Sequence, residues 1–183
     1  MSVIVIQYMS LDGVVSDPTG AAGSARGGWL FRYGRGAELA GDAFGIAPVL
    51  ERGLLLFGRG TWQGFAGLWP NREGAFADVM NGARKVVASR TLTEVPQWAN
   101  SRLLTGDPVE AVKRETRDVV VMGSLPLVRD LAAADLVDEY RLITLPTVLG
   151  TGERLFPVEG PYQELTLLES APIGHSLYTR HGR

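Results

Sequence analysis

The sequence contains no cysteine. Disulfides, thiol nucleophiles, zinc–thiolate sites and iron–sulfur clusters are thereby excluded. The absence fits a reducing cytoplasm, the expected location. Histidine is nearly absent too: His175 and His181 are the only two, too few for a histidine-rich metal site, so no metal is expected. No apolar run approaches a membrane span, which needs about 18 residues. The opening Met1-Ser2-Val3-Ile4-Val5-Ile6 has no basic flank and no small-residue cleavage site, so it reads as a buried first strand rather than a signal peptide. Neither sign of charge dominates. Lys and Arg total 18 against 20 Asp and Glu, a net charge of −2, which gives no electrostatic reason to expect nucleic acid or an anionic membrane as a partner.

Three familiar motifs are also missing. There is no Gly-x-Gly-x-x-Gly after the first strand; Gly34-Arg35-Gly36 and Gly58-Arg59-Gly60 match only its first half. There is no Gly-x-x-x-x-Gly-Lys-Ser/Thr phosphate loop and no Gly-x-Ser-x-Gly elbow of a serine hydrolase.

What is present is an ordinary globular composition, 45% hydrophobic and 21% charged over 183 residues. The length predicts a single domain across residues 1–183. Val3–Met9 is apolar and β-branched, suited to a central strand, and Asp12-Gly13 follows as a turn. Asp17 to Gly36 is a long Gly/Arg-rich connection, and long connections are often functional. Ala37 to about Leu50 has helical composition, interrupted near Gly45 and Pro48. Strands are predicted at Gly53–Phe57, Lys85–Ala88, Ser101–Thr105, Asp118–Met122 and Glu139–Pro146. Helices are predicted at Gly74–Asn81, Asp107–Thr116 and from Gly123-Ser124 to about Ala134. A glycine-containing turn at Leu149–Phe156 precedes a terminal strand pair, Glu164–Ser170 and Ser176–His181. Strands alternating with helices, then strands alone, predict an α/β three-layer sandwich with a mostly parallel central sheet and antiparallel C-terminal strands.

Three strand ends carry glycine or small polar residues: Gly58-Arg59-Gly60-Thr61, Ser89-Arg90-Thr91 and Gly123-Ser124-Leu125-Pro126. Ligands of open parallel sheets sit beyond the carboxyl ends of the strands. A helix start there offers free N–H groups and a positive dipole end, both suited to phosphate. Arg59 and Arg90 add bidentate, charge-assisted contacts. Each segment alone is equally a tight turn with a helix cap; the three together point to a dinucleotide.

In order along the chain stand Ser10-Leu11-Asp12-Gly13, Leu56-Phe57-Gly58-Arg59-Gly60-Thr61-Trp62, Val87-Ala88-Ser89-Arg90-Thr91, Val120-Val121-Met122-Gly123-Ser124, Asp135-Leu136-Val137-Asp138-Glu139-Tyr140 and Pro146-Thr147-Val148-Leu149-Gly150-Thr151-Gly152-Glu153-Arg154-Leu155-Phe156. This series resembles the dihydrofolate reductase-like family, which includes the reductase domain of bacterial riboflavin biosynthesis, and in particular its stand-alone bacterial members.

The resemblance implies an NADPH-binding reductase. Gly58, Arg59 and Thr61 would hold cofactor phosphates at a helix start, and Ser89 and Arg90 would flank the adenosine 2′-phosphate. Gly123, Ser124 and Leu125 would carry the pyrophosphate, and Tyr8 and Val15 would lie near the nicotinamide. Asp42, ahead of the Gly-Arg strand end as in folate reductases, would face the substrate as the acid that orients its ring, with Glu38 and Asp12 as competing carboxylates. A homodimer is implied as well. The zinc deaminase half of the bifunctional riboflavin enzyme would need cysteines that this sequence lacks.

The substrate expected is a small planar heterocycle, most concretely a ribosylaminouracil phosphate. The alternatives are a dihydrofolate or pterin reductase and a nucleotide-binding protein without turnover. Trp29, Trp62, Trp69 and Trp98 are candidates to stack on such a ring, with core or rim packing as the alternative. Arg26, Arg32 and Arg35 are candidates for an anionic substituent, and Gly150-Thr151-Gly152 for a close approach to ligand.

Overall fold

Leu54-Leu55-Leu56-Phe57 has no polar face, and a strand of that kind must be covered on both sides. In the computed structural model, which describes residues 1–33, 39–160 and 162–183, this segment is β2 (Leu54–Gly58), buried throughout. It lies between two further parallel strands, β3 (Arg84–Ala88) and β5 (Val119–Val121). The chain divides into two compact units, residues 1–5 with 45–138, and residues 6–44 with 139–183.

In the first unit the strand order is β4 (Ser101–Leu103), β3, β2, β5 and the start of β1 (Val3–Ser10), every neighbouring pair parallel. The crossover from β2 to β3 runs through α2 (Arg59–Ala66) and α3 (Ala75–Gly82), and that from β4 to β5 through α4 (Pro108–Lys113). These crossovers step across the sheet in opposite directions. Right-handed connections therefore put α2 and α3 on one face and α4 on the other. The packing agrees: α1 (Ala47–Leu50) lies against α3, and α5 (Leu125–Ala133) against α4. Each helix buries an apolar side, Trp62 and Ala66 on α2, Ala77 and Met80 on α3, Leu127, Val128 and Leu131 on α5. Asp107 caps α4, accepting from the Glu110 amide at 3.0 Å, with Pro108 in the first turn.

Two carboxylates fasten the start of β1: Asp118 Oδ1 accepts from Ser2 N at 2.7 Å and Asp138 Oδ2 from Val3 N at 2.8 Å. Lys85 interrupts the apolar run of β3 and is fully buried. Its Nζ donates to the carbonyls of Asn81, Ala83 and Ala99 at 3.0, 2.8 and 3.0 Å and lies 4.4 Å from the Trp98 ring centroid. Burial pushes the ammonium down to about 8, while the three acceptors and the ring face favour the charged form. Without it, each carbonyl left unpaired costs about 1–3 kcal/mol.

The second unit holds the rest of β1, β6 (Glu139–Leu145), β8 (Ser176–Gly182) and β7 (Thr166–Ile173), in that order, with β6, β8 and β7 antiparallel. The fold is thus the α/β class expected, parallel strands followed by an antiparallel terminal set. One expectation needs correction. Of the interrupted helical segment expected from Ala37 to about Leu50, α1 is the only α-helix among the described residues. Gly41 and Gly45 take left-handed φ values of +54° and +62°, and residues 40–42 form a bend; no helix continues through such residues. The long connection from Asp17 to Gly36 contains a 3-10 turn at Trp29–Tyr33.

The segment after β1 is zipped to the segment after β6. Leu11 N donates to Thr147 O, Val15 N to Glu153 O and Leu155 N to Gly13 O, at 2.8, 2.9 and 3.0 Å, around an antiparallel bridge of Val14 with Arg154. Asp12 secures the join: Oδ1 accepts from Leu149 N at 3.0 Å and from Ser10 Oγ at 2.7 Å, and Oδ2 from Gly150 N at 2.8 Å. These donors, the Leu149 amide foremost, hold the carboxyl at about 2 against an ordinary 3.8. A lowered carboxyl pKa stabilises the folded form above the ordinary value and loses that contribution as pH falls through the folded one. The amides of Leu149 and Gly150 should therefore lose protection from hydrogen exchange between pH 3.8 and about 2. In Asp12→Ala they should exchange faster at neutral pH, and a variant with unchanged protection would contradict the assignment.

Candidate functional site

The parallel register brings the three glycine- and serine-bearing strand ends to one edge of the first unit. Gly58 ends β2 level with Ala88 of β3, directly ahead of Ser89 and Arg90. On its other side the Gly58 amide donates to Gly123 O at 2.8 Å. This approach requires glycine. A Cβ on Gly58 would strike the Ser124 hydroxyl and lie 2.9 Å from Ser124 N. Gly123 has φ +121°, and a Cβ there would sit 2.9 Å from Thr61 Oγ1. The Gly123–Ser124 peptide is cis. Gly58, Thr61, Gly123 and Ser124 are thus neighbours, at the starts of α2 and α5.

Both helices begin here with N-caps in extended conformation and no side-chain cap among the described residues: Gly58 for α2 and Ser124 for α5. Their first-turn amides lack intrahelical acceptors, except that Pro126 of α5 has no N–H to offer. Arg59 is exposed and reaches across to the neighbouring strand end, its Nη1 donating to Thr91 Oγ1 at 3.0 Å. Ser89 Oγ accepts from the amides of Thr91 and Leu92 at 3.2 and 3.0 Å. That fixes the turn and leaves the hydroxyl proton to donate outward. Arg90, next in sequence, is exposed. The set comprises amide N–H groups, hydroxyls and two guanidiniums. It is a donor set with positive charge, the complement of a phosphate chain.

Tyr8, Val15 and Asp42 belong to the second unit. Tyr8 is half-buried on β1, its ring edge-to-face with Phe44 at 4.9 Å. Val15 is buried in the zipped segment. Asp42 is half-buried in the bend between Gly41 and Gly45 rather than on a helix. The bend is held by two residues that the sequence reading missed. Arg141 Nη1 and Tyr178 Oη both reach Phe44 O, at 3.0 and 3.4 Å. Arg141 is itself buried and paired with Glu139 at 2.7 Å, and Glu139 also receives Arg180 at 2.7 Å. The signal was available: Glu139 and Arg141 place opposite charges two residues apart, on one face, at the start of β6, and a buried charge must be paired.

The tryptophans divide. Trp29, Trp62 and Trp98 are core residues, each indole N–H committed, to Ser16 O, Ser101 Oγ and Asn81 Oδ1 at 3.0, 3.0 and 2.7 Å. Their expected stacking role is withdrawn, because burial in the protein leaves no ring face for a ligand. Trp69 is half-buried, packed on Phe65 and Phe76 with Arg72 5.0 Å over its ring. Arg26 and Arg32 are exposed; Arg35 and Glu38 lie outside the described residues. No helix of the described residues is long and apolar enough to cross a membrane.

The same architecture occurs in solved structures. A protein of Shewanella sp. PV-4 provisionally assigned to riboflavin biosynthesis superposes with a TM-score of 0.74 at 23% identity, covering 100% of this chain and 99% of its own. The diaminohydroxyphosphoribosylaminopyrimidine deaminase/5-amino-6-(5-phosphoribosylamino)uracil reductase of Thermotoga maritima gives a TM-score of 0.62 at 16% identity over 99% of this chain. The present chain spans 56% of that protein's length. Dihydrofolate reductase of Enterococcus faecalis, solved with NADP(H), gives 0.56 at 13% identity over 100% of this chain and 96% of its own. At these identities the likeness is one of fold. No curated protein matches the chain. The RibD C-terminal domain model matches residues 1–179, and the chain accordingly belongs to the RibD C-terminal domain family.

Proposed function

We propose that the protein is an NADPH-dependent reductase of a planar heterocycle, acting on 5-amino-6-(5-phosphoribosylamino)uracil or a close relative. The observation that carries this reading is the meeting of three donor-rich strand ends around the Gly58–Gly123 contact. The donor set fits a dinucleotide's phosphates. Thr61, Ser124 and the first-turn amides of α2 and α5 would hold the pyrophosphate. Ser89, Arg59 and Arg90 would hold the 2′-phosphate that distinguishes NADPH from NADH. When bound, NADPH supplies a hydride. Asp42 would orient the heterocycle and hold a proton for it, its bend kept in place by Arg141 and Tyr178. The pyrimidine substrate is favoured by the family and by the reductase activity in the Thermotoga protein's name. A pterin substrate is the second reading, favoured by the near-complete coverage of the Enterococcus dihydrofolate reductase.

A homodimer belongs to the same proposal. β7 is exposed along most of its length, with Leu167 and Leu168 more than half accessible. A strand uncovered in this way is usually protected by association. Light scattering should give about twice the 19.7 kDa of one chain, and a monomer mass would remove this part.

The activity test is oxidation of NADPH, followed at about 340 nm, where the reduced nicotinamide absorbs. The panel contains the phosphoribosylaminouracil, dihydrofolate and a dihydropterin. Turnover of the first alone supports the proposal, turnover of the folate or pterin alone supports the second reading, and no turnover leaves a nucleotide binder. Arg59→Ala and Arg90→Ala should each weaken NADPH binding by about 10–100-fold, since a charge-assisted contact contributes about 1.5–3 kcal/mol. NADH affinity should hardly change, and a wild type that binds both cofactors equally would contradict a 2′-phosphate site. Asp42→Asn should keep NADPH affinity and lower kcat by about 100-fold; normal turnover would show that Asp42 is not the acid.

A further inference from the structure

The second unit contains a cavity of about 170 Å³ that the reading above does not use. Its polar lining comes from Ser16, Ser24, Arg26 and Thr151, its apolar lining from Val14 and Leu149. It lies where the Gly/Arg-rich connection meets the zipped segments after β1 and β6. Arg26 and Thr151-Gly152, far apart in sequence, share this one cavity.

Its walls are fixed. Ser16 Oγ accepts from Glu153 N at 2.9 Å, and Ser16 O accepts from the Trp29 indole at 3.0 Å. Ser24 is placed by its amide, which donates to Asp17 Oδ2 at 2.9 Å, while Asp17 Oδ1 accepts from Ala22 N at 2.9 Å. The Asp17 charge is thus directed into its own loop, and these amides, Ala22 foremost, keep its pKa low. Gly152 forms part of the wall at φ +122°. A Cβ there would lie 2.6 Å from Val14 Cγ1 and 2.8 Å from Ser16 Oγ, inside the cavity lining.

We propose that this cavity binds the phosphoryl end of a phosphate monoester, with Arg26 as its cation. Chemistry and size support this together. The lining carries one guanidinium and three hydroxyls, of which that of Ser24 is engaged by Asp17, and no carboxylate is among its described lining residues. Arginine pairs with phosphate through two parallel N–H bonds. The Ser16 oxygen already accepts an amide, so its proton is available to donate. Pockets for whole drug-sized ligands run to about 300–1,000 Å³. A cavity of about 170 Å³ takes one end of a molecule, not a heterocycle with its substituents. For the phosphoribosyl substrate proposed above, the inference rests on that reading and assigns the ester end to Arg26.

The test is direct binding, without turnover. NMR titration of the full chain with ribose 5-phosphate, ribose and inorganic phosphate should shift the Ser24, Arg26 and Thr151 amides with the two phosphates and not with ribose. Arg26→Ala should weaken ribose 5-phosphate by at least about 10-fold, and Arg26→Lys should recover part of the loss. NADPH affinity and Tm should stay unchanged in both variants. Gly152→Ala, whose Cβ would displace Val14 and the Ser16 hydroxyl from the wall, should weaken binding of both phosphates. Absence of binding to the wild type, equal shifts with ribose, or an unaffected Arg26→Ala variant would overturn the proposal. Phosphate binding that depends on Arg26 in a protein that reduces none of the heterocycles would leave this site standing and remove the reductase reading. A reductase of the phosphoribosylaminouracil indifferent to Arg26→Ala would do the reverse.

Discussion

The hydrogen bond from the Gly58 amide to the Gly123 carbonyl is the constraint on which the site depends. It forms because β2 and β5 are parallel neighbours in a register, Leu56 beside Val121, that carries Gly58 to the level of Gly123, two residues beyond the end of β5. Two helices must then start side by side, and their first turns crowd. Glycine at both strand ends relieves the crowding, since a Cβ at either would meet Ser124 or Thr61. The same geometry concentrates unpaired amides at one edge. Packing and phosphate chemistry are thus satisfied by the same residues, and substitution of either glycine would disturb both.

The second unit uses a different device. It relies on a buried ion pair within one strand. Arg141 sits two residues from Glu139 in β6, paired with it and directed at the Phe44 carbonyl. Removing Glu139 would take the counter-charge from the buried Arg141, a change that costs about 3–5 kcal/mol in a buried pair, whereas removing Arg141 would leave Glu139 held by Arg180. The bend bearing Asp42 therefore inherits the rigidity of β6 and β8, although it has no regular secondary structure of its own.

Most of the sheet was legible in the sequence, and the reasons are local. Strands such as Leu54–Phe57 and Val119–Val121 are short apolar runs closed by glycine or small polar residues, a length and flanking that favour strand over helix. The phosphate-type strand ends were legible because glycine, serine and arginine recur at corresponding points. The segment around Asp42 was not. Its composition is helical, and although Gly45 and Pro48 mark an interruption, the left-handed φ that Gly41 takes beside Asp42 is a property that composition does not carry. The tryptophans were over-read for a related reason: an indole that packs in the core and one that stacks on a ligand look the same in sequence, and only the committed N–H of Trp29, Trp62 and Trp98 separates them. Arg141 and Tyr178 act across more than 90 residues of chain on one carbonyl, a relation that periodicity cannot express.

Lys85 has a practical consequence. The chain has only two lysines. Lys113 is half-exposed on α4, paired with Glu110, whereas Lys85 is enclosed with all three protons donated to carbonyls. An amine-reactive label will modify Lys113 immediately and reach Lys85 only when the first unit opens. The ratio of the two modifications, read by mass spectrometry, is therefore a built-in clock for opening of the parallel sheet, with the fast lysine as its internal reference.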